Sequence, residues 1–141
     1  MGAEVFHEIW PVAARDFVTA GEVSGRIKRL LKQLGVDAGI VRRLAVAAYE
    51  VELNIVIHSL GGEMELKITP ETIKLTARDN GPGIPDIDMA MREGYSTASD
   101  DVRVMGFGAG MGLPNIQRNA DGFGIESSPA GTTVTMSFAL Q

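Results

Sequence analysis

Apolar positions along the chain switch between two periods, and each switch marks an element. Val5 to Val12 alternates loosely through Trp10 and reads as a first strand ended by Pro11. From Ala13 to Leu34 the residues Phe17, Ile27, Leu30, Leu31 and Leu34 recur at helical spacing; Gly21 and Gly25 interrupt the middle, and Gly35 is placed as a C′ cap. Asp37 is positioned to N-cap a second helix with Ile40, Leu44, Ala47, Ala48, Val51 and Ile55 on one face, ending near Ser59. The period then returns to two. Met64, Leu66 and Ile68 alternate, Pro70-Glu71 turns, and Ile73, Leu75 and Ala77 alternate again, predicting a hairpin with one buried face. A glycine- and proline-rich loop follows from Asp79 to Pro85, then a short helix over Ile87 to Glu93. Leu113 to Ala120 is a helix with Pro114 in its tolerated first turn, and Phe123 to Ser128 with Thr132 to Leu140 form a last hairpin around Pro129-Ala-Gly131. Paired strands with helices gathered on one face predict an α+β fold, a two-layer α/β sandwich. The expected domain organisation is one domain over residues 1–141.

Between Gly94 and Gly112 the pattern fails. The stretch is polar, glycine-rich and nearly without periodicity, and a loop this long in a small domain is usually functional, often a lid. It closes on the run Gly106-Phe-Gly108-Ala-Gly110-Met-Gly112, directly ahead of a helix. Bare N–H groups at a helix start attract anions. Read alone, the run fits a phosphate loop and a plain flexible loop equally.

Composition narrows the function classes. With 141 residues the chain can bury a real core. A net charge of −5 argues against a nucleic-acid backbone as main partner. The absence of cysteine removes disulfides, thiolate metal sites and cysteine nucleophiles. The N-terminal residues lack the basic-then-apolar order of a signal peptide, and no apolar run is long enough to span a membrane, so a cytoplasmic location without membrane attachment is expected.

Three short elements carry candidate chemistry. Glu50 and Asn54 are four apart on the second helix, hence on one face among apolar neighbours. A carboxylate there can act as a general base, and an amide carbonyl is a good oxygen ligand for Mg²⁺. Ordinary solvated helix residues account for the pair at least as well when it is read alone, and Glu52 is a second acid nearby on a different face. Asp79-Asn80-Gly81-Pro82-Gly83-Ile84 follows a strand and is either a plain turn or a carboxylate aimed into a pocket. The third element is the glycine run. No Gly-x-x-x-x-Gly-Lys-Ser/Thr loop occurs, and the third glycine of a dinucleotide fingerprint falls on Met111 or Leu113.

Taken in order, Glu-x-x-x-Asn on a helix, Asp-x-Gly-x-Gly-Ile after a strand and Gly-x-Gly-x-Gly before a helix resemble the N box and two glycine boxes of the GHKL (Bergerat fold) ATPases. That superfamily is shared by DNA gyrase, the ninety-kilodalton heat-shock chaperones, sensor histidine kinases and MutL. The resemblance covers nearly the whole chain. The chain is too short for the transducer domains of gyrase or MutL and has no dimerising helical hairpin with a phosphoacceptor histidine. It is therefore similar to the small stand-alone branch, the anti-sigma-factor serine/threonine kinases and the stressosome switch kinases. Gly94-Tyr-Ser-Thr and Gly108-Ala-Gly110 look like the switch type, whereas His58, four after Asn54, looks like the anti-sigma type.

The resemblance implies a histidine-kinase-like ATPase fold, with a mixed, mostly antiparallel sheet and an ATP lid over about 94–112. It implies ATP and Mg²⁺ as ligands. Glu50 would take the proton from a partner's serine hydroxyl, and Asn54 would ligate Mg²⁺. Asp79 would bind the adenine amino group, Gly81 and Gly83 would let the backbone approach the base, and Thr132 would support the adenine site. Gly106, Gly108, Gly110, Met111 and Gly112 would line the phosphates, with a weaker carry-over for Ser96 and Thr97. The partner would be a sigma factor, an anti-sigma antagonist or a stressosome-type scaffold, with a homodimer possible. The implied activity is phosphorylation of that partner in transcription regulation. A nucleotide-gated binding module with little or no kinase activity is the alternative.

Overall fold

The computed structural model describes residues 4–84, 87–91 and 112–140. The elements run β1 (Phe6–Val12), α1 (Glu22–Gln33), α2 (Ala38–His58), β2 (Gly62–Ile68), β3 (Thr72–Asp79), α3 (Ile87–Ala90), α4 (Gly112–Asn119), β4 (Gly122–Ser128) and β5 (Gly131–Ala139). The strands form one sheet in the order β1-β2-β3-β5-β4. All four pairings among the described residues are antiparallel, so a parallel pair allowed for by the mixed-sheet expectation does not occur there.

Alternation assigns the two faces. Met64, Leu66 and Ile68 of β2, Ile73, Leu75 and Ala77 of β3, and Val134, Met136 and Phe138 of β5 are buried toward the helices. The intervening positions carry charge or hydroxyls. On that outer face Arg78 bridges Glu63 and Glu65, and His7 reaches Glu65 at 2.6 Å. The Arg78 bond, then the His7 bond, holds the Glu65 carboxyl below its ordinary range.

Helix α2 is the middle of the helical layer. Asp37 caps it as its sequence predicts, accepting from the Gly39 N–H at 2.9 Å and the Ile40 N–H at 3.4 Å. Its far end is closed from outside the helix. The Arg15 N–H donates to the Val56 carbonyl at 2.8 Å and the Arg15 guanidinium to the Ile57 carbonyl at 3.1 Å, which satisfies carbonyls a helix end leaves bare. One side of α2 meets the sheet through Leu44, Ala48, Val51 and Ile55 in the main core. Another holds Leu53 and Ile57, covered by Phe17 and Ala20.

The first helix begins later than the apolar spacing suggests. Residues 13–21 form turns, and α1 starts at Glu22. Gly21 takes the left-handed φ of 98° and has no capping side chain. Glu52 of α2 supplies the cap instead. It is 2% exposed, and its carboxylate accepts from the N–H groups of Gly21 (2.9 Å), Val23 (3.2 Å) and Ser24 (2.9 Å). Charge-assisted bonds to the positive end of a helix suit a buried carboxylate.

Candidate functional site

Two clusters of the expected site residues form, one between α2 and α4 and one at the end of β3. The first lies between α2 and α4, which pack against each other. Glu50 and Asn54 are half-buried on the α2 face turned to the first turn of α4. A Cβ added to Gly112 would stand 3.2 Å from Asn54 Oδ1 and 3.3 Å from Glu50 Oε2. Both oxygens thus converge on the start of α4, and a side chain there would have to displace them. Burial raises the Glu50 carboxyl above its ordinary range, and a hydrogen bond from the Asn115 side chain opposes that rise.

Asn115 is the residue that the sequence reading missed. It sits one turn into α4, flanked by the buried Leu113, Pro114 and Ile116. Arg118 Nη2 donates to Asn115 Oδ1 at 2.7 Å. The signal was present in the chain: a lone amide in an apolar first turn, directly after the glycine run. The other end of α4 is fixed to α2 by Arg43, whose Nη1 donates to the Asn119 carbonyl at 2.9 Å and pairs with Asp121 at 3.2 Å. Asp121 in turn accepts from the Ala139 N–H at 2.7 Å. Sheet, α4 and α2 are tied at one point.

The second cluster surrounds Asp79 at the end of β3. Its Oδ1 accepts from the Gly81 N–H at 3.0 Å and from the Thr132 N–H at 2.9 Å. Thr132 Oγ1 lies 2.7 Å from Ser127 Oγ, and Ser127 Oγ accepts from the Ile84 N–H at 2.7 Å. The Asp79–Ile84 loop is therefore strapped to the β4–β5 hairpin. The fit depends on bare α-carbons. A Cβ on Gly83 (φ 92°) would overlap the Ser128 carbonyl, and one on Gly131 would overlap the Asp79 carbonyl. The loop is also joined to the end of α2, since the Leu60 N–H donates to the Gly81 carbonyl at 2.9 Å and the Asn80 N–H to the Gly61 carbonyl at 2.9 Å.

Ser96, Thr97, Gly106, Gly108, Gly110 and Met111 lie outside the described residues, as does most of the expected lid. Glu52 is accounted for by its role at the start of α1. His58 is half-buried, and burial, then the charge of Arg15, holds its imidazole below its ordinary range. A cleft of about 440 Å³ takes in Asp79 and Gly131 together with Glu63 and Arg78, and leaves out Glu50 and Asn54; it belongs to the outer side of the sheet. Among the described residues no three acids or histidines gather as a metal cage, and no helix is long and apolar enough to cross a membrane. The Asn54 side-chain oxygen, half-buried beside the start of α4, is nevertheless of the donor type that would suit Mg²⁺, which can take a single protein oxygen and complete its shell with phosphates and water.

Comparison with known proteins places the chain in a family. Residues 39–141 match the family model described as histidine kinase-, DNA gyrase B-, and HSP90-like ATPase. The serine/threonine-protein kinase RsbT of Bacillus subtilis (strain 168) is 30% identical over 116 residues, covering 79% of each chain. Among solved structures, the RsbU and RsbW domains of Rv1364c from Mycobacterium tuberculosis superpose with a TM-score of 0.62 at 16% identity, over 94% of this chain; this chain spans about a third (32%) of that one. The SiaB–SiaC complex of Pseudomonas aeruginosa gives a TM-score of 0.58 at 11% identity, covering 96% of this chain and 89% of that one. The blue-light activated histidine kinase domain of Erythrobacter litoralis EL346 gives 0.54 at 18% identity, covering 86% and 65%. The structural likenesses carry the fold, and the sequence match carries the family: the chain belongs to the histidine kinase-, DNA gyrase B- and HSP90-like ATPases, with a serine/threonine kinase among its relatives.

Proposed function

We propose that this chain is an ATP-dependent serine/threonine protein kinase that regulates transcription by phosphorylating a partner protein, a sigma-factor antagonist or a scaffold of the stressosome type. The observation that carries the reading is the half-buried Glu50 carboxylate set beside Asn54 under the start of α4. A pure nucleotide-gated binder has no use for a base at that position.

Each residue has a stated task. Glu50 accepts the proton of the attacking serine hydroxyl, and burial favours this by bringing its pKa toward that of a working base. Asn54 offers its carbonyl oxygen to Mg²⁺. A bound Mg²⁺ would neutralise charge on the phosphate oxygens, which, with positioning, is most of what phosphoryl transfer needs. Asp79, held in one orientation through Oδ1, recognises the adenine amino group, and Thr132 keeps it there. The bare Gly112 leaves room for phosphate against the N–H groups of α4. The nucleotide-binding unit includes residues before the family match, because Trp10, Val12, Val23, Ile27 and Leu31 belong to the same core.

The test is transfer of labelled phosphate from ATP to serine-bearing candidate partners, with calorimetry of nucleotide binding alongside. Glu50→Ala is expected to lower transfer by about 100-fold or more and to leave ATP binding in place. Equal labelling by both proteins would remove Glu50 as the base. No affinity of the wild type for Mg-ATP would overturn the whole reading.

A further inference from the structure

We propose that the solvent face of the α1–α2 hairpin is a docking surface for an acidic amphipathic helix of the partner protein. The proposal rests on the proposed function for the occupant's being a protein partner, and it adds where that partner sits and what chemistry it presents.

Charge is sorted in space. Residues 22–43 hold six Arg and Lys against two acids, a net of +4, in a chain whose total is −5, so the remainder carries −9. Arg26, Lys28, Arg29 and Lys32 are exposed on α1, and Arg42 is exposed on α2. Among the described residues no ion pair reaches any of these five, whereas Arg43, Lys67 and Arg78 each pair with an acid. Apolar surface lies beside the charge. Arg42, Val46 and Tyr49 follow one another at spacings of four and three and so share one face of α2. Val46 and Tyr49 are 38% and 41% exposed. Tyr49 leans over the start of α1, its Cε1 3.2 Å from where a Cβ on Gly21 would stand. One turn on, the Arg29 guanidinium lies over Gly25, 3.6 Å from where a Cβ would stand there. The two glycines keep the surface low, and an aromatic ring and a guanidinium fill it.

The spacing selects the occupant. Arg26 and Arg29, and Lys28 and Lys32, recur at three and four residues, the repeat at which acids line one face of a second helix. Apolar residues of that helix would meet Val46 and Tyr49. The 12 residues of α1 span about 18 Å, which a short helix covers. A nucleic-acid duplex or an anionic membrane runs past the patch onto a remainder of net −9, which repels it.

Two measurements test the docking face. In the first, a synthetic helix-forming peptide of glutamate and leucine, with leucine at every third or fourth position, is titrated into ¹⁵N-labelled protein without nucleotide. The amide signals of α1 and of Arg42 to Tyr49 are expected to move, with binding about tenfold weaker when salt rises from about 50 to about 500 mM. Arg26→Glu/Arg29→Glu is expected to weaken binding by about tenfold or more and to bind the same peptide with lysine for glutamate; Tyr49→Ala is expected to weaken it by about threefold. Unmoved α1 signals, or equal binding by the double variant, would overturn the proposal. So would tighter binding of duplex DNA or of phosphatidylserine vesicles than of the peptide. Should the double variant fold poorly, Arg26→Gln/Arg29→Gln takes its place, with about a threefold loss expected. In the second, phosphate transfer by the double variant is expected to show KM for the partner raised by about tenfold, with kcat and KM for ATP within about twofold. An unchanged KM for the partner would overturn the docking role and leave the kinase reading in place. If the wild type transfers no phosphate while the peptide moves the α1 signals, the docking face stands and the kinase reading falls.

Discussion

Two residues apart on α2, Glu50 and Glu52 face different seams of the helical layer. Glu52 looks toward α1, is sealed from water and takes three backbone N–H groups. Glu50 looks toward α4, is half open, and has its charged form disfavoured by burial, with the Asn115 amide acting the other way. One carboxylate is filled by backbone donors and caps a helix; the other stays partly open to solvent between α2 and α4, where the proposed function places a base. The same side chain becomes structure or chemistry according to how many donors surround it.

The contrast can be broken from either side. The largest effect is expected at Glu52. Glu52→Ala leaves buried donors without an acceptor and should cost about 2–4 kcal/mol, lowering Tm by roughly 10 °C in a thermal melt. Glu52→Gln keeps one acceptor oxygen and should fall between. A melt of Glu52→Ala that matches wild type would remove the cap as a stabilising contact.

Gly112→Ala comes next. Its Cβ would press on Asn54 and Glu50 at 3.2–3.4 Å, while alanine is the better helix former. Phosphate transfer should fall about tenfold with Tm changed by less than about 3 °C, because side chains rather than backbone must give way. Unchanged transfer would show that the start of α4 does not bear on the pair.

The smallest effect sharpens the comparison most. Burial raises Glu50, so the folded chain holds that proton more tightly than the unfolded chain, and stability is lost as pH rises through the folded-state value. Glu50→Gln removes this loss. It should melt about 1 °C higher than wild type near pH 7 and show no gain below about pH 4, where both states are protonated. A gain that persists in acid would point to packing instead of charge.

These differences also explain what was legible in the chain. The length and cap of α2 were readable because Asp37 and the apolar stripe are local signals. Both hairpins were readable from alternation and turn residues. The late start of α1 was not, because its cap comes from Glu52, on another helix, and local spacing carried on through residues that form turns. Glu50, Asn54 and Asp79 were found through order and spacing, and the structure brings Glu50 and Asn54 to Gly112, and Asp79 to Thr132. Asn115 escaped because its role depends on a helix pairing that no single segment encodes. That the two seams of α2 differ was legible only as the remark that Glu52 lies on another face.

The dovetail of Gly83 and Gly131 bears on how variation in this protein should be read. At both positions any added side-chain atom meets a carbonyl oxygen of the neighbouring segment. A mutational scan will therefore find a band of intolerance around the Asp79 loop and the β4–β5 turn, as sharp as that at a reactive group. Gly83→Ala and Glu50→Ala would look alike in a growth screen. The abundance of each variant is expected to separate them, since the first should remove the protein and the second, on the proposed role of Glu50, should leave it in place without activity.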